Sequence, residues 1–139
     1  MTEEKMYHKL KTGMVGTPTQ FTRIETGSTR VGVPDLYWST PNNNGWIEFK
    51  TVYSLQVPVI KPVWRPGQLG WVKDHTKLGD NVWLAVTDKY EDVMLFILSP
   101  ISVTFKIEEC NMFMELPIKG MLVHSMLDTI QTVPQHLHQ

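Results

Sequence analysis

Residues 32–51 read GVPDLYWSTPNNNGWIEFKT, and they sit within two runs rich in β-branched and aromatic residues, 31–39 and 46–52. Between the runs lies Thr40-Pro41-Asn42-Asn43-Asn44-Gly45, made of turn residues, so the chain is expected to reverse there as a β-hairpin. Side chains alternate across a strand, which puts Trp46, Glu48 and Lys50 on one face and Ile47 and Phe49 on the other. A loop over residues 40–45 pairs Asp35 with Lys50 and Tyr37 with Glu48. Asp35 and Glu48 are then diagonal neighbours on one face, within reach of a single cation.

Gathering two carboxylates and an ammonium on a sheet face costs free energy unless something compensates, and a bound Mg²⁺ does so. Such an ion takes oxygen ligands at about 2.0–2.1 Å and keeps several waters, which suits one or two carboxylates beside a substrate phosphate. The bland reading is that Asp35 follows a proline in a turn while Glu48 and Lys50 form the solvated face of an amphipathic strand. Each residue alone fits that reading. Their conjunction favours a site.

Pro34-Asp35 followed by Glu48-Phe49-Lys50 resembles the PD-(D/E)XK nuclease signature. GVPDL, then WIEFK, then Gln68 opening a helix, is similar to the VRR-NUC and Holliday-junction-resolvase-like branch found often in phages. The resemblance covers residues 21–86 or so. It implies a metal-dependent phosphodiesterase with Asp35 and Glu48 as ligands, the Phe49 carbonyl as a further ligand, and Lys50 positioning or activating water. In this family an acidic residue of the first helix often assists the metal, and Glu3 or Glu4 matches, although so near the terminus helix capping is the preferred role. The branch usually carries RIN where this chain has Arg23-Ile24-Glu25. Glu25 therefore either adds a carboxylate to the site or pairs with Arg23 at the surface.

Composition narrows the class. The chain has 139 residues, 42% hydrophobic and 19% charged, which predicts one globular domain over 1–139, with a catalytic core at about 21–87 and a C-terminal strand and helix extension over 92–131. No apolar run approaches a membrane span and MTEEKMYHK lacks the apolar centre of a signal peptide, so a cytoplasmic protein without membrane contact is expected. The single cysteine, Cys110, excludes an internal disulfide and a cysteine-based zinc cluster, and reads as a buried small hydrophobe. The net charge of −1 and pI near 6.5 argue weakly against nucleic acid, because local patches rather than the sum guide phosphate binding.

Along the chain, Thr2 caps a helix over 2–10 whose stripe is Met6, Tyr7 and Leu10, stopped by Gly13. A loop follows over 11–19, and residues 21–26 alternate as a first core strand. Residues 27–32 form a turn bearing Arg30, which contacts phosphate or faces solvent. Pro58 and Pro62 make 51–64 an extended loop, where Lys61 and Arg65 bracket Trp64 in a basic and aromatic mix suited to a nucleic-acid backbone or base. Pro66 fits the first position of a helix running over 67–78. Its inward stripe is Leu69, Val72 and Thr76, with Trp71, His75 and Leu78 alongside. Residues 81–87 and 92–99 are apolar strands, and strand, helix and strand in succession make a parallel crossover in a mixed sheet. Residues 101–115 read as strand or loop. Residues 117–131 read as a helix whose apolar Met121, Leu122, Met126, Leu127 and Ile130 serve as core or as a dimer surface.

The expectation is an α/β, restriction-endonuclease-like domain with about five strands in a mixed sheet flanked by helices. Its function is a Mg²⁺- or Mn²⁺-dependent DNA endonuclease with no organic cofactor, using Asp35, Glu48, Lys50, Gln68 and Glu25, with Lys61, Trp64, Arg65, Arg30 and Arg23 toward DNA. A junction substrate calls for a C₂ homodimer. Two rivals are a catalytically silent binding module on the same fold and a phage accessory protein that inhibits a host enzyme.

Overall fold

The computed structural model describes residues 2–24 and 32–129; Glu25, Arg30, Ile130 and the C-terminal tail lie outside them. Helix α1 spans Glu3–Gly13, and the Thr2 hydroxyl accepts the Lys5 amide at 3.2 Å as its N-cap. Strands β1 (Gln20–Arg23), β2 (Leu36–Ser39) and β3 (Asn44–Val52) follow, then the short β4 (Val59–Ile60) and helix α2 (Gln68–Lys77). Strands β5 (Val82–Asp88), β6 (Val93–Leu98), β7 (Phe105–Lys106) and β8 (Met112–Glu115) precede helix α3 (Gly120–Asp128). The main sheet has six strands in the order β1-β2-β3-β5-β6-β8, and β4 pairs with β7 apart from it. Among the described residues only the β3–β5 pair is parallel, with α2 as its crossover, so the sheet is mixed as expected.

The hairpin forms with a register two residues away from the expected one. Leu36 pairs with Ile47, Tyr37 with Trp46 and Ser39 with Asn44. The loop is the tighter Thr40 to Asn43, closed by the Thr40 amide donating to the Asn43 carbonyl at 2.8 Å. Asp35, one step before the Leu36–Ile47 pair, is therefore level with Glu48 rather than Lys50. Side-chain direction has a period of two, so this slip keeps the expected faces.

Alternation divides the apolar residues between two cores. On one face, Met6 and Leu10 of α1 and Val123 and Leu127 of α3 pack against Trp38, Ile47, Phe49, Trp83 and Phe96. On the other, Leu84, Val86, Leu95 and Ile97 meet Leu55 and Ile60, with Trp64, Phe105 and Cys110 partly buried against them. Strand β5 lies between β3 and β6 and all seven of its residues are buried.

Several expectations need correction. Strand β1 is an edge strand, with Gln20, Thr22 and Arg23 exposed, because β2 is its one partner among the described residues. Pro66 does not open α2; Gly67, at φ 86°, is the N-cap and Gln68 begins the helix. Leu78 is 77% exposed, since α2 ends one residue before it. The loop over 51–64 gains strand β4 between its two prolines. Helix α3 starts at Gly120, where a side chain would run into the Gly13 carbonyl, and it buries Val123, His124 and Leu127. Met121 and Leu122 are left exposed because the Met-Leu-Val run permits either helical face and Val123 takes the inward one. Cys110 is only half-buried.

Candidate metal centre

Strand β3 carries Glu48 into the middle of the sheet between β2 and β5, where the residue is 1% exposed. The β2 ladder ends at Leu36, and the Phe49 amide beyond it donates to Asp35 Oδ2 at 2.9 Å. That bond fixes the Asp35 carboxylate beside Glu48. Gly32, at φ 86°, lies so close to Gly67 that any side chain on it would strike the Gly67 carbonyl. Contact between these two glycines brings the approach to Asp35 against the start of α2, which is why Gln68 reaches the same place.

The first turn of α1 supplies the third carboxylate. One oxygen each of Glu3, Asp35 and Glu48 lie within 4.8 Å of one another. Gln68 Nε2 donates to Glu48 Oε2 at 3.2 Å, while Gln68 Oε1 accepts from Lys50 Nζ at 2.6 Å and from the Arg65 amide at 2.7 Å. Lys50 is 6% exposed, with its ammonium 5.5 Å from the centre of the Trp64 ring. Glu48 Oε1 is buried and has no hydrogen-bond partner among the described residues.

The electrostatics follow from this crowding. Burial, then contact with Asp35, pushes Glu48 up to about 10. Burial and the Asp35 charge also raise Glu3, and burial lowers Lys50 against the pull of Glu48. Without a cation Glu48 keeps its proton at neutral pH. A divalent cation fits the donor set, because hard oxygen ligands converge there and a buried acceptor otherwise lacks a partner.

Two clefts adjoin the cluster and share Glu3. One, of about 470 Å³, is lined by Asp35, Phe49, Arg23 and Tyr7. Since the Phe49 ring is in the core, its backbone is the part that can face this cleft. The other, of about 530 Å³, is lined by Lys50, Thr51, Val63 and Arg65. Arg23 is held by Glu4 in a two-pronged pair at 2.6 and 3.1 Å, and Arg65 lies 3.4 Å from Glu3.

Asp35, Glu48, Lys50 and Gln68 thus come together as the sequence predicts, and Arg23 and Arg65 stand at the two clefts. Lys61 is exposed outside both linings. Trp64 is half-buried, and its indole N–H donates to the Ser102 carbonyl at 2.8 Å. His75 stacks on Trp71 at 3.6 Å between ring centres and bonds Asp80, away from the carboxylates. Sequence reasoning gave Glu3 a capping role, whereas its carboxylate reaches the cluster. The signal was present in the stripe of Met6 and Leu10, which docks α1 on the sheet and aims its first turn at β3.

No protein-family model matches the sequence, and no curated protein matches it. The solved structure of Hjc, a Holliday junction resolvase from the archaeal hyperthermophile Archaeoglobus fulgidus, superposes with a TM-score of 0.54, covering 83% of this chain and 92% of that one. The two chains share a fold. At 10% identity the likeness is one of fold alone, a mixed sheet flanked by helices. Among the described residues no helix is long and apolar enough to cross a membrane.

Proposed function

We propose that this chain is a divalent-metal-dependent DNA endonuclease of the PD-(D/E)XK type, one nuclease domain acting on branched or junction DNA in phage-type processing, repair or recombination. The observation that carries the reading is the buried, unpartnered Glu48 Oε1 beside Asp35 and Glu3. The shared fold with a junction resolvase supports the choice of substrate.

Glu3, Asp35 and Glu48 would hold Mg²⁺ or Mn²⁺, with the Phe49 carbonyl as a further oxygen donor. The ion, when bound, polarises the scissile phosphate and acidifies a water. Gln68 holds the ammonium of Lys50 and the carboxylate of Glu48 in one frame, so the water-orienting and metal-holding groups keep a constant separation. Burial makes Lys50 a weaker base, and so its ammonium a readier proton donor toward a departing oxygen. Arg23 and Arg65 flank the site and can meet phosphates, a local basic contribution that the net charge conceals. Cutting two symmetric strands of a junction calls for a C₂ homodimer.

The test is cleavage of labelled duplex, single-stranded, flap and four-way DNAs with Mg²⁺, Mn²⁺ or EDTA. The reading expects metal-dependent nicking, lost in Asp35→Asn and Glu48→Gln while folding persists. Cleavage by either variant at the wild-type rate overturns the site. Binding of DNA without cleavage under every metal condition would favour the silent module.

A further inference from the structure

At the far end of β3, beyond Lys50, two tyrosines stand in solvent around one ammonium. Tyr53 is 70% exposed and Tyr90 58% exposed. Their rings meet edge to face at 6.5 Å, and Lys89 Nζ lies 4.0 Å from the centre of the Tyr53 ring and 4.9 Å from that of Tyr90. Both segments follow the carboxyl ends of the parallel strands β3 and β5, which finish level with each other at the Val52–Asp88 pair. Neither ring belongs to either apolar core.

The cluster follows the candidate site along the chain. The cleft beside Glu3 is lined by Lys50 and then Thr51, and Tyr53 comes two residues after Thr51. Tyr53 lies three positions beyond Lys50 and one past the end of β3, about 10 Å along the chain at the usual strand rise. On its other flank, Lys5 and Lys9 of α1 engage Glu91 at 3.6 and 3.0 Å, so the acid nearest in sequence to Tyr90 is already matched by two cations. Two exposed rings and an ammonium form a surface complementary to a nucleobase and its phosphate. Aromatic rings stack on any base, and an adjoining cation holds the strand.

We infer that Tyr53, Tyr90 and Lys89 form a stacking site for an unpaired nucleobase a few nucleotides from the cleaved phosphate, giving the enzyme a preference for DNA with a single-stranded or unstacked segment. This deepens the nuclease reading and rests on it. Paired bases are stacked within a duplex and cannot offer a face to either exposed ring, so the site distinguishes flaps and opened branch points from blunt duplex.

The probe is fluorescein-labelled flap DNA with a short unpaired tail, compared with blunt duplex of the same length, bound to the full chain in Ca²⁺ and read by anisotropy. Tyr53→Ala and Tyr90→Ala should each weaken flap binding roughly 5- to 100-fold, the range of a lost stacking contact, with blunt-duplex affinity and Tm unchanged. Tyr53→Phe and Tyr90→Phe should bind as wild type, and Lys89→Ala should flatten the salt dependence by about one unit. Wild-type flap affinity in both alanine variants, with the wild-type protein still cleaving DNA in Mg²⁺, overturns the stacking site and leaves the nuclease standing. Tyrosine-dependent flap binding without cleavage in any metal leaves the stacking site and removes the nuclease. A wild-type protein that neither binds nor cleaves removes both.

Discussion

Lys50 and Glu48 never touch directly through a hydrogen bond; Gln68 joins them, taking the ammonium on Oε1 at 2.6 Å and giving Nε2 to the carboxylate at 3.2 Å. One amide thereby partners a buried cation and one of the two oxygens of a buried acid. It also accepts the Arg65 amide, which ties the entry of α2 to the same point.

Gln68→Ala should therefore act on rate and stability at once. Losing the frame lets Lys50 drift, and misplacement of about 1 Å costs on the order of 100-fold in rate. Leaving buried Lys50 and Glu48 short of a partner should cost about 1–3 kcal/mol of folding free energy. Single-turnover cleavage and urea unfolding of one preparation check both; an intact rate would remove Gln68 from the site.

Glu48 sets a pH dependence whose sign is fixed. Its ordinary value is 4.5 and its folded value about 10, so between them the native protein keeps a proton that the unfolded chain releases. Metal-free stability should then fall as pH rises through that window. Glu48→Gln should flatten the slope and raise Tm in EDTA on the alkaline side. Wild type and variant melting alike across the whole range would contradict the raised value.

The same proton makes metal binding pH-linked. A cation must displace it, so affinity should climb with pH and binding should release protons near neutrality. Calorimetry in buffers of different ionisation heat measures the number released. The observed heat staying the same in every buffer would mean that no proton leaves.

Glu3 and Glu4 separate ligation from capping. Thr2 supplies the cap, so Glu3→Gln should leave α1 intact yet weaken metal binding roughly tenfold or more, at least the effect of disturbing an outer-shell partner. Glu4→Gln should release Arg23 and leave metal affinity alone. Titrations with Mn²⁺ compare the two, and equal effects would return Glu3 to a purely helical role.

Trp64 now has a defined environment. Its ring packs on the second core, its N–H holds Ser102, and Lys50 lies over its face. Trp64→Ala should cost about 2–4 kcal/mol of stability, toward the lower end of the buried-aromatic range because the ring is half-exposed. Arg65→Ala and Lys61→Ala should each spare Tm and reduce the salt slope of DNA binding by about one unit. A Trp64 variant that melts as wild type but binds DNA poorly would reverse these roles.

Alternation along 46–52 and the turn residues before it were enough to place Glu48 and Lys50 on one face, because side-chain direction in a strand depends only on parity. Parity also explains why the error in hairpin register left that face unchanged. The βαβ crossover was legible for a similar reason: strand, helix and strand in that order can close only in a few ways. Thr2 and the Met6 and Leu10 stripe likewise announced α1. What the linear chain could not carry was where α1 lands. Glu3 becomes a neighbour of Asp35 only after the helix docks across the sheet, a consequence of side-chain packing among residues distant in sequence. The burial of Glu48 and Lys50 and the bridge through Gln68 depend on the same three-dimensional closure, helped by the contact of Gly32 with Gly67. Edge or centre for β1, and which face of α3 turns inward, were also settled by neighbours. Local pattern specifies direction along an element, whereas partners, burial and the resulting proton affinities exist only once the elements are packed.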